Sequence, residues 1–224
     1  MSLQKVIETA KSQLGITEYP PGSNHVLYNT EYYGKDVSGP YFPWCVTFLW
    51  WVFKTANDSK AFFNGGKTAS CTILRDLYKA EGRWFTGGLY MPGDIAIMNF
   101  KGTDEPQHCG LIISTGTPAT IYYKIIEGNT SPGEEGSQDN GGSVALKTRY
   151  PSQIIGVCRP RYTPEIQIKT DWEDHWAKDA IQWGMDNKII SGYPDGTFRP
   201  NGTMTRAEAI TMAKNLADYI LSHK

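Results

Sequence analysis

The chain lacks an apolar run long enough to cross a bilayer. A membrane helix needs roughly 20 apolar residues, and the longest run here, Trp44 to Phe53, is interrupted by Thr47. It also lacks an excess charge of either sign, since 22 Lys+Arg stand against 23 Asp+Glu for a formal net charge of −1. That excludes the basic stripe of a nucleic-acid binder and the acidic tail of a solvating segment. Cys45, Cys71, Cys109 and Cys158 come singly, with no CxxC pair. Neither a zinc ribbon nor a disulfide framework is expected from that spacing, and the four read as buried reduced thiols. The opening MSLQKVIETAKSQLG has no apolar leader core, because polar residues recur every few positions. What remains is an ordinary, loop-rich globular composition, 40% hydrophobic with 23 Gly and 13 Pro. At about 150 residues per domain, 224 residues make one to two domains.

Periodicity changes along the chain. Residues 3–14 place Leu3, Val6, Ile7, Ala10 and Leu14 on one helical face, with Gly15 at the end. The Pro- and Gly-rich stretch from Thr17 to Trp44 has no helical period and reads as a long structured loop. Helices are expected from Cys45 and over Ala69–Glu81. After Met91 come short strand-like runs: Asp94–Phe100, Cys109–Ser114, Ile121–Glu127, Val144–Arg149 and Ile155–Arg159. Helices followed by successive strands predict an α+β domain with N-terminal helices packed on an antiparallel sheet. This domain takes residues 1–160, and RPRYTP begins a linker over 161–170. Residues 171–224 form a separate, small, mainly helical module. It has an amphipathic segment Asp174–Asn187, the turn-rich SGYPDGTFRPNG, and a last helix opened by the capping box Thr205-x-x-Glu208.

Three weak signals converge on one chemistry. Cys45 opens a helix, where the partial positive charge of the helix start favours a thiolate. A thiol nucleophile needs a base, and the base needs an orienting partner. His108 stands immediately before the apolar strand CGLIIS, and the next strand ends Ile125-Ile126-Glu127-Gly128-Asn129. If these strands pair antiparallel, Glu127 or Asn129 comes within reach of the imidazole. Either can accept its N–H and fix its tautomer.

PWCVTFLWW, QHCGLII and IIEGN, in that order and at these separations, resemble the CHAP family of cysteine amidohydrolases, within the papain-like (NlpC-P60-like) group. SNHVLYNTEYYG is similar to the segment before the nucleophile in phage members. The resemblance spans residues 1–160, with Val46 where Ala is common and Cys109 where an aliphatic residue is common. It implies Cys45 as nucleophile, His108 as base, Glu127 as orienter and Asn129 as a supporting polar residue. It implies a peptidoglycan hydrolase that cuts an amide bond, as an N-acetylmuramoyl-L-alanine amidase or as a stem or cross-bridge endopeptidase. No metal and no organic cofactor are needed. Asn24, Tyr28 and Trp44 are candidate substrate contacts. With no leader in view, the expectation is a phage endolysin made in the host cytoplasm and released to the wall, without membrane insertion. A bacterial autolysin of the same chemistry, or a catalytically silent wall-binding protein, is the alternative.

The second module resembles one S-layer homology repeat, on DHWAKDAI, ISGYPDGTFRPNG and MTRAEAI. That implies binding to a secondary cell-wall polysaccharide of Gram-positive bacteria. Arg206 would pair with an acidic group of the polymer, Asp195 and Gly196 would shape the adjacent turn, and Trp176 would form an apolar wall. Such repeats commonly come in threes, and this chain has one. A homo-oligomer, trimer before dimer, is therefore expected through Trp172, Trp176, Trp183, Ile210 and Leu216.

Overall fold

The computed structural model describes residues 3–87, 90–116, 121–133, 135–162, 171–193 and 197–223. The chain divides into two compact units, Met1–Glu165 and Ile166–Lys224. The first is an α+β unit. Its helices are α1 (Leu3–Lys11), α2 (Leu27–Tyr33), α3 (Cys45–Thr55), α4 (Ser59–Phe63) and α5 (Cys71–Ala80). Its strands are β1 (Trp84–Phe85), β2 (Ile95–Met98), β3 (His108–Thr115), β4 (Tyr123–Thr130), β5 (Ser143–Arg149) and β6 (Ile154–Cys158). They form one antiparallel sheet in the order β1-β6-β2-β3-β4-β5.

The alternation of β2 explains the layering. Ile95 and Ile97 join the larger cluster with Val6, Leu49, Val52 and Phe53 of the helices, while Ala96 and Met98 face a second cluster with Ile112, Ile125 and Val157. Both faces of the central strands are thus buried, as their near-continuous apolar runs require. Helix α3 buries Cys45, Val46, Thr47, Phe48, Leu49, Val52 and Phe53. A helix apolar around most of its circumference belongs inside, and this one sits on the sheet. Ser70 caps α5 by accepting the Ile73 N–H.

Local patterns and tertiary structure part in two places in this unit. Helix α1 stops at Lys11, not residue 14, and Gly15 at φ 86° instead donates its N–H to the Val144 carbonyl, tying the turn to β5. The stretch expected to be loop contains α2 because burial of Tyr28 organises it. The Tyr28 ring meets Trp44, Phe48 and Trp51 at centroid distances of 5.6, 5.0 and 5.3 Å. Such aromatic contacts bury area that no helical period announces.

The second unit holds α6 (Lys178–Asp186) and α7 (Arg206–Ser222). Helix α6 begins later than Asp174, after a run of turns. The Thr205–Glu208 capping box forms: the Thr205 hydroxyl accepts the Glu208 N–H, and the Glu208 carboxylate accepts the Thr205 N–H at 2.6 Å. Asp171 accepts the N–H groups of Phe198 and Arg199 at 2.8 and 2.6 Å, clasping the turn segment to the start of the unit. None of the described helices is long and apolar enough to cross a membrane.

Candidate active site

Cys45 is the first residue of α3, held there by the buried Trp44 before it and the buried Val46 after it. His108 is the first residue of β3, and Glu127 lies on the neighbouring strand β4, opposite Gly110. The Glu127 carboxylate meets His108 Nε2 at 3.1 Å, and both side chains are fully buried. Two glycines make this approach possible. A Cβ at Gly110 would meet Ile125 Cγ2 at 2.5 Å and Glu127 Cγ at 2.7 Å, so the glutamate crosses the strand through space that only glycine leaves. A Cβ at Gly128 would meet Phe48 Cβ at 2.7 Å, so this glycine lets α3 press against β4.

Glu127 has a second partner. Arg149, at the end of β5, donates Nε to Oε1 at 2.8 Å and Nη2 to Oε2 at 2.7 Å, a bidentate fork. The guanidinium also lies 4.7 Å from the centre of the Phe100 ring. Arg149 is only 2% exposed. Sequence reading missed it, and the available signal was Lys147 and Arg149 alternating on the inward face of a strand otherwise read as apolar.

Charge follows from these contacts. The Cys45 thiol is lowered well below the ordinary range by the Cys109 and Cys71 thiols and then by His108, against the cost of burial. Burial works against a charged His108, but Cys45 and Glu127 raise it to about 9. Burial pushes Glu127 up, and Arg149 and His108 overcome it to hold the carboxyl below its usual value. Burial and the neighbouring Cys45 and Cys71 thiols push Cys109 up, and burial does the same to Cys158. Cys71 is lowered by Cys109, but Cys45 and burial lift it well above the usual thiol value. Of the four thiols, Cys45 alone is shifted down, toward thiolate, with the raised His108 imidazole among the causes, the direction a cysteine nucleophile requires.

The other expected site residues lie elsewhere or do other work. Asn129 does not orient His108. It sits at φ 60°, donates Nδ2 to Asn140 Oδ1 at 2.9 Å and accepts the Gly142 N–H, so it braces the loop between β4 and β5. Tyr28 and Trp44 have no free surface for a substrate. Tyr28 donates its hydroxyl to Gln13, and Trp44 donates its indole N–H to Glu18 at 3.0 Å. Asn24 is buried as well, its amide nitrogen committed to the Gly39 carbonyl and its backbone N–H to Glu18. Glu18 is therefore the organiser of this loop, a role its sequence context did not signal.

In the second unit a cleft of ≈ 760 Å³ lies among Lys188, Tyr193, Arg199, Glu208, Thr211 and Asn215. Neither Trp176 nor Arg206 is among its lining residues. Trp176 is 91% exposed and forms no wall of it, and Arg206 opens α7 on the surface. Asp195 and Gly196 fall outside the described residues. Trp172, expected to be exposed, is buried.

Comparison with known proteins bears on this second unit. Residues 170–210 match the S-layer homology domain, so the chain carries one. A segment is 43% identical over 80 residues to the outer membrane protein SlpA of Deinococcus radiodurans, covering 34% of this chain and 7% of that protein. Another match, 45% identical over 47 residues, is to the cellulosome-anchoring protein of Acetivibrio thermocellus, covering 21% of this chain and 10% of that one. The chain thus spans only a small part of the length of these relatives. The crystal structure of Ly7917 aligns with 71% of this chain and 63% of that one at 14% identity and TM-score 0.40, too low a likeness to assign the fold.

These matches correct the expected location. Relatives that share the domain are named as outer-membrane and anchoring proteins, which places them at the cell surface after export. A chain made and kept in the cytoplasm until release conflicts with that. The polar opening of the sequence is no argument against export.

Proposed function

We propose, with an S-layer homology domain at residues 170–210 as the premise, that the chain is a cell-surface cysteine amidohydrolase acting on peptidoglycan. Its first unit is a papain-like catalytic domain of the CHAP type, and its second holds it to a secondary cell-wall polymer. One observation carries the reading: a helix-borne thiol lowered toward thiolate, beside an imidazole whose far nitrogen is fixed at 3.1 Å by a buried carboxylate.

The geometry supports acyl transfer. The Cys45 thiolate attacks an amide carbonyl to give a tetrahedral oxyanion. The Cys45 backbone N–H, at the start of α3, is the candidate donor to it. His108 gives its proton to the leaving amine, then takes one from the water that opens the thioester. Glu127 keeps the imidazole in one tautomer and balances its charge, and Arg149 keeps Glu127 ionised. The scissile bond is the muramoyl–L-alanine amide or a peptide bond of the stem or cross-bridge, because both suit the same residues.

A specific observation favours a second reading, a wall-binding protein without turnover. His108 and Glu127 are fully buried, and Cys45 is only 5% exposed. Mass spectrometry of sacculi incubated with the protein separates the two. New muramic-acid ends or new amino termini identify the hydrolase and its bond. Walls that bind the protein and stay intact leave the silent anchor.

A further inference from the structure

We propose that Cys45, Cys71 and Cys109 form a thiolate site for a borderline-soft divalent cation of the zinc class. Their three Sγ atoms all lie within 4.8 Å of one another, and all three residues are buried. The Cys45 and Cys71 sulfurs are 3.8 Å apart. Tetrahedral Zn–S bonds of about 2.3 Å place sulfur pairs about 3.8 Å apart, so this pair already has the spacing of two ligands. Each thiol stands on a separate rigid element: Cys45 opens α3, Cys71 opens α5, and Cys109 is the second residue of β3. Such ligands are held by the core and not by a loop. Thiolates select zinc-like ions over calcium or magnesium, which want oxygen.

The grouping stops at three residues: His108 is not part of it, so the protein supplies three ligands and the fourth position is left to an exogenous one. His108 Nδ1 is buried and has no hydrogen-bond partner among the described residues. Its Nε2 is tied to Glu127. Cys158 is buried too but is not part of the cluster. Binding displaces the thiol protons to solvent and leaves one of the four tetrahedral positions open. The site itself stands on the geometry alone. Its consequence, that a loaded ion occupies the nucleophile and stops turnover, rests on the hydrolase reading.

Cobalt titration of the full-length chain, reduced and freed of metal by chelator, tests this. Expected are thiolate-to-cobalt charge-transfer absorption and tetrahedral visible bands that saturate at one ion per chain and vanish on adding zinc. Cys71→Ser should weaken binding by more than about 100-fold, and Cys158→Ser should leave it unchanged. The wild-type spectrum decides even if a variant misfolds. No thiolate bands, or affinity indifferent to Cys71→Ser in a folded variant, overturns the site. So does a count of two free thiols instead of four in denaturant before any reductant is added, because the pair is then a disulfide. In wall-digestion assays zinc should arrest the wild type, and chelator should restore it. Cobalt bands without wall digestion by the metal-free wild type uphold the site and overturn only the hydrolase reading.

Discussion

The two units solve opposite problems. The first hides charge: Glu127, Arg149, Asp94 and Glu18 are buried, and each has a partner that holds it. The second exposes apolar surface. Helix α7 has no buried residue, and Trp176, Trp183, Ile210, Ile220 and Leu221 stand open, while Trp172, Ile181 and Ile189 supply the buried side chains. Buried ion pairs are costly and persist where geometry demands them. Open apolar faces on a small module are the kind of surface that a binding partner covers. The unit that carries the family match is thus the one with the thinner core, since its signature lies in turns and a helix cap and not in packing.

The sharpest way to break this contrast is at the thiol. Cys45→Ala should lower wall digestion by at least about 10³-fold with the thermal midpoint unchanged. His108→Ala should lower digestion as far, with a stability loss of its own because the buried imidazole leaves a cavity beside Glu127, and the double variant should lose no more activity than either single one. Turbidity clearing of wall suspensions alongside melting curves reads both. Equal loss of activity and stability would mean that the pair is only core.

Next comes the buried charge. Arg149→Met leaves Glu127 ionised and without its fork, at an expected cost of about 3–5 kcal/mol. Urea unfolding measures it. A cost below about 1 kcal/mol would assign the buried charges no structural part. Gly110→Ala should cost less, about 1–3 kcal/mol from crowding, yet reduce turnover further than its stability loss explains. The new methyl displaces Glu127 from His108, and a shifted pH–rate profile would show it.

The smallest expected effect on the first unit comes from removing the second. Deleting residues 166–224 should leave the melting of the first unit within about 0.5 kcal/mol, while sedimentation with whole walls falls. Light scattering should show the full chain as a trimer or dimer and the truncated chain as a monomer. A full chain that runs at 25.0 kDa removes the self-association expected from the sequence, and undiminished wall binding after truncation removes the anchor.

Much was legible in one dimension. The helix opened by Cys45, the strand opened by His108 and the Thr205 cap follow from spacing within a few residues, because periodicity and capping are local physics. The pairing of β3 with β4 needed only a short connection between consecutive strands. That pairing brought His108 and Glu127 together. It could not choose between Glu127 and Asn129, because the choice turns on the φ of 60° that points Asn129 into its own loop.

What only the tertiary structure decided lies between residues far apart in the chain. Arg149 grips a glutamate 22 positions away, and Cys71 meets Cys45 across 26. Nothing in the local pattern of either marks the meeting, for both read as ordinary members of a strand and a helix. Their encounter is set by how α3 and α5 settle on the sheet, and so by the sum of many weak contacts in the core. Sequence by itself determined which elements exist and which side chains they carry. Close packing of those elements determined which of the four single cysteines would share one buried space.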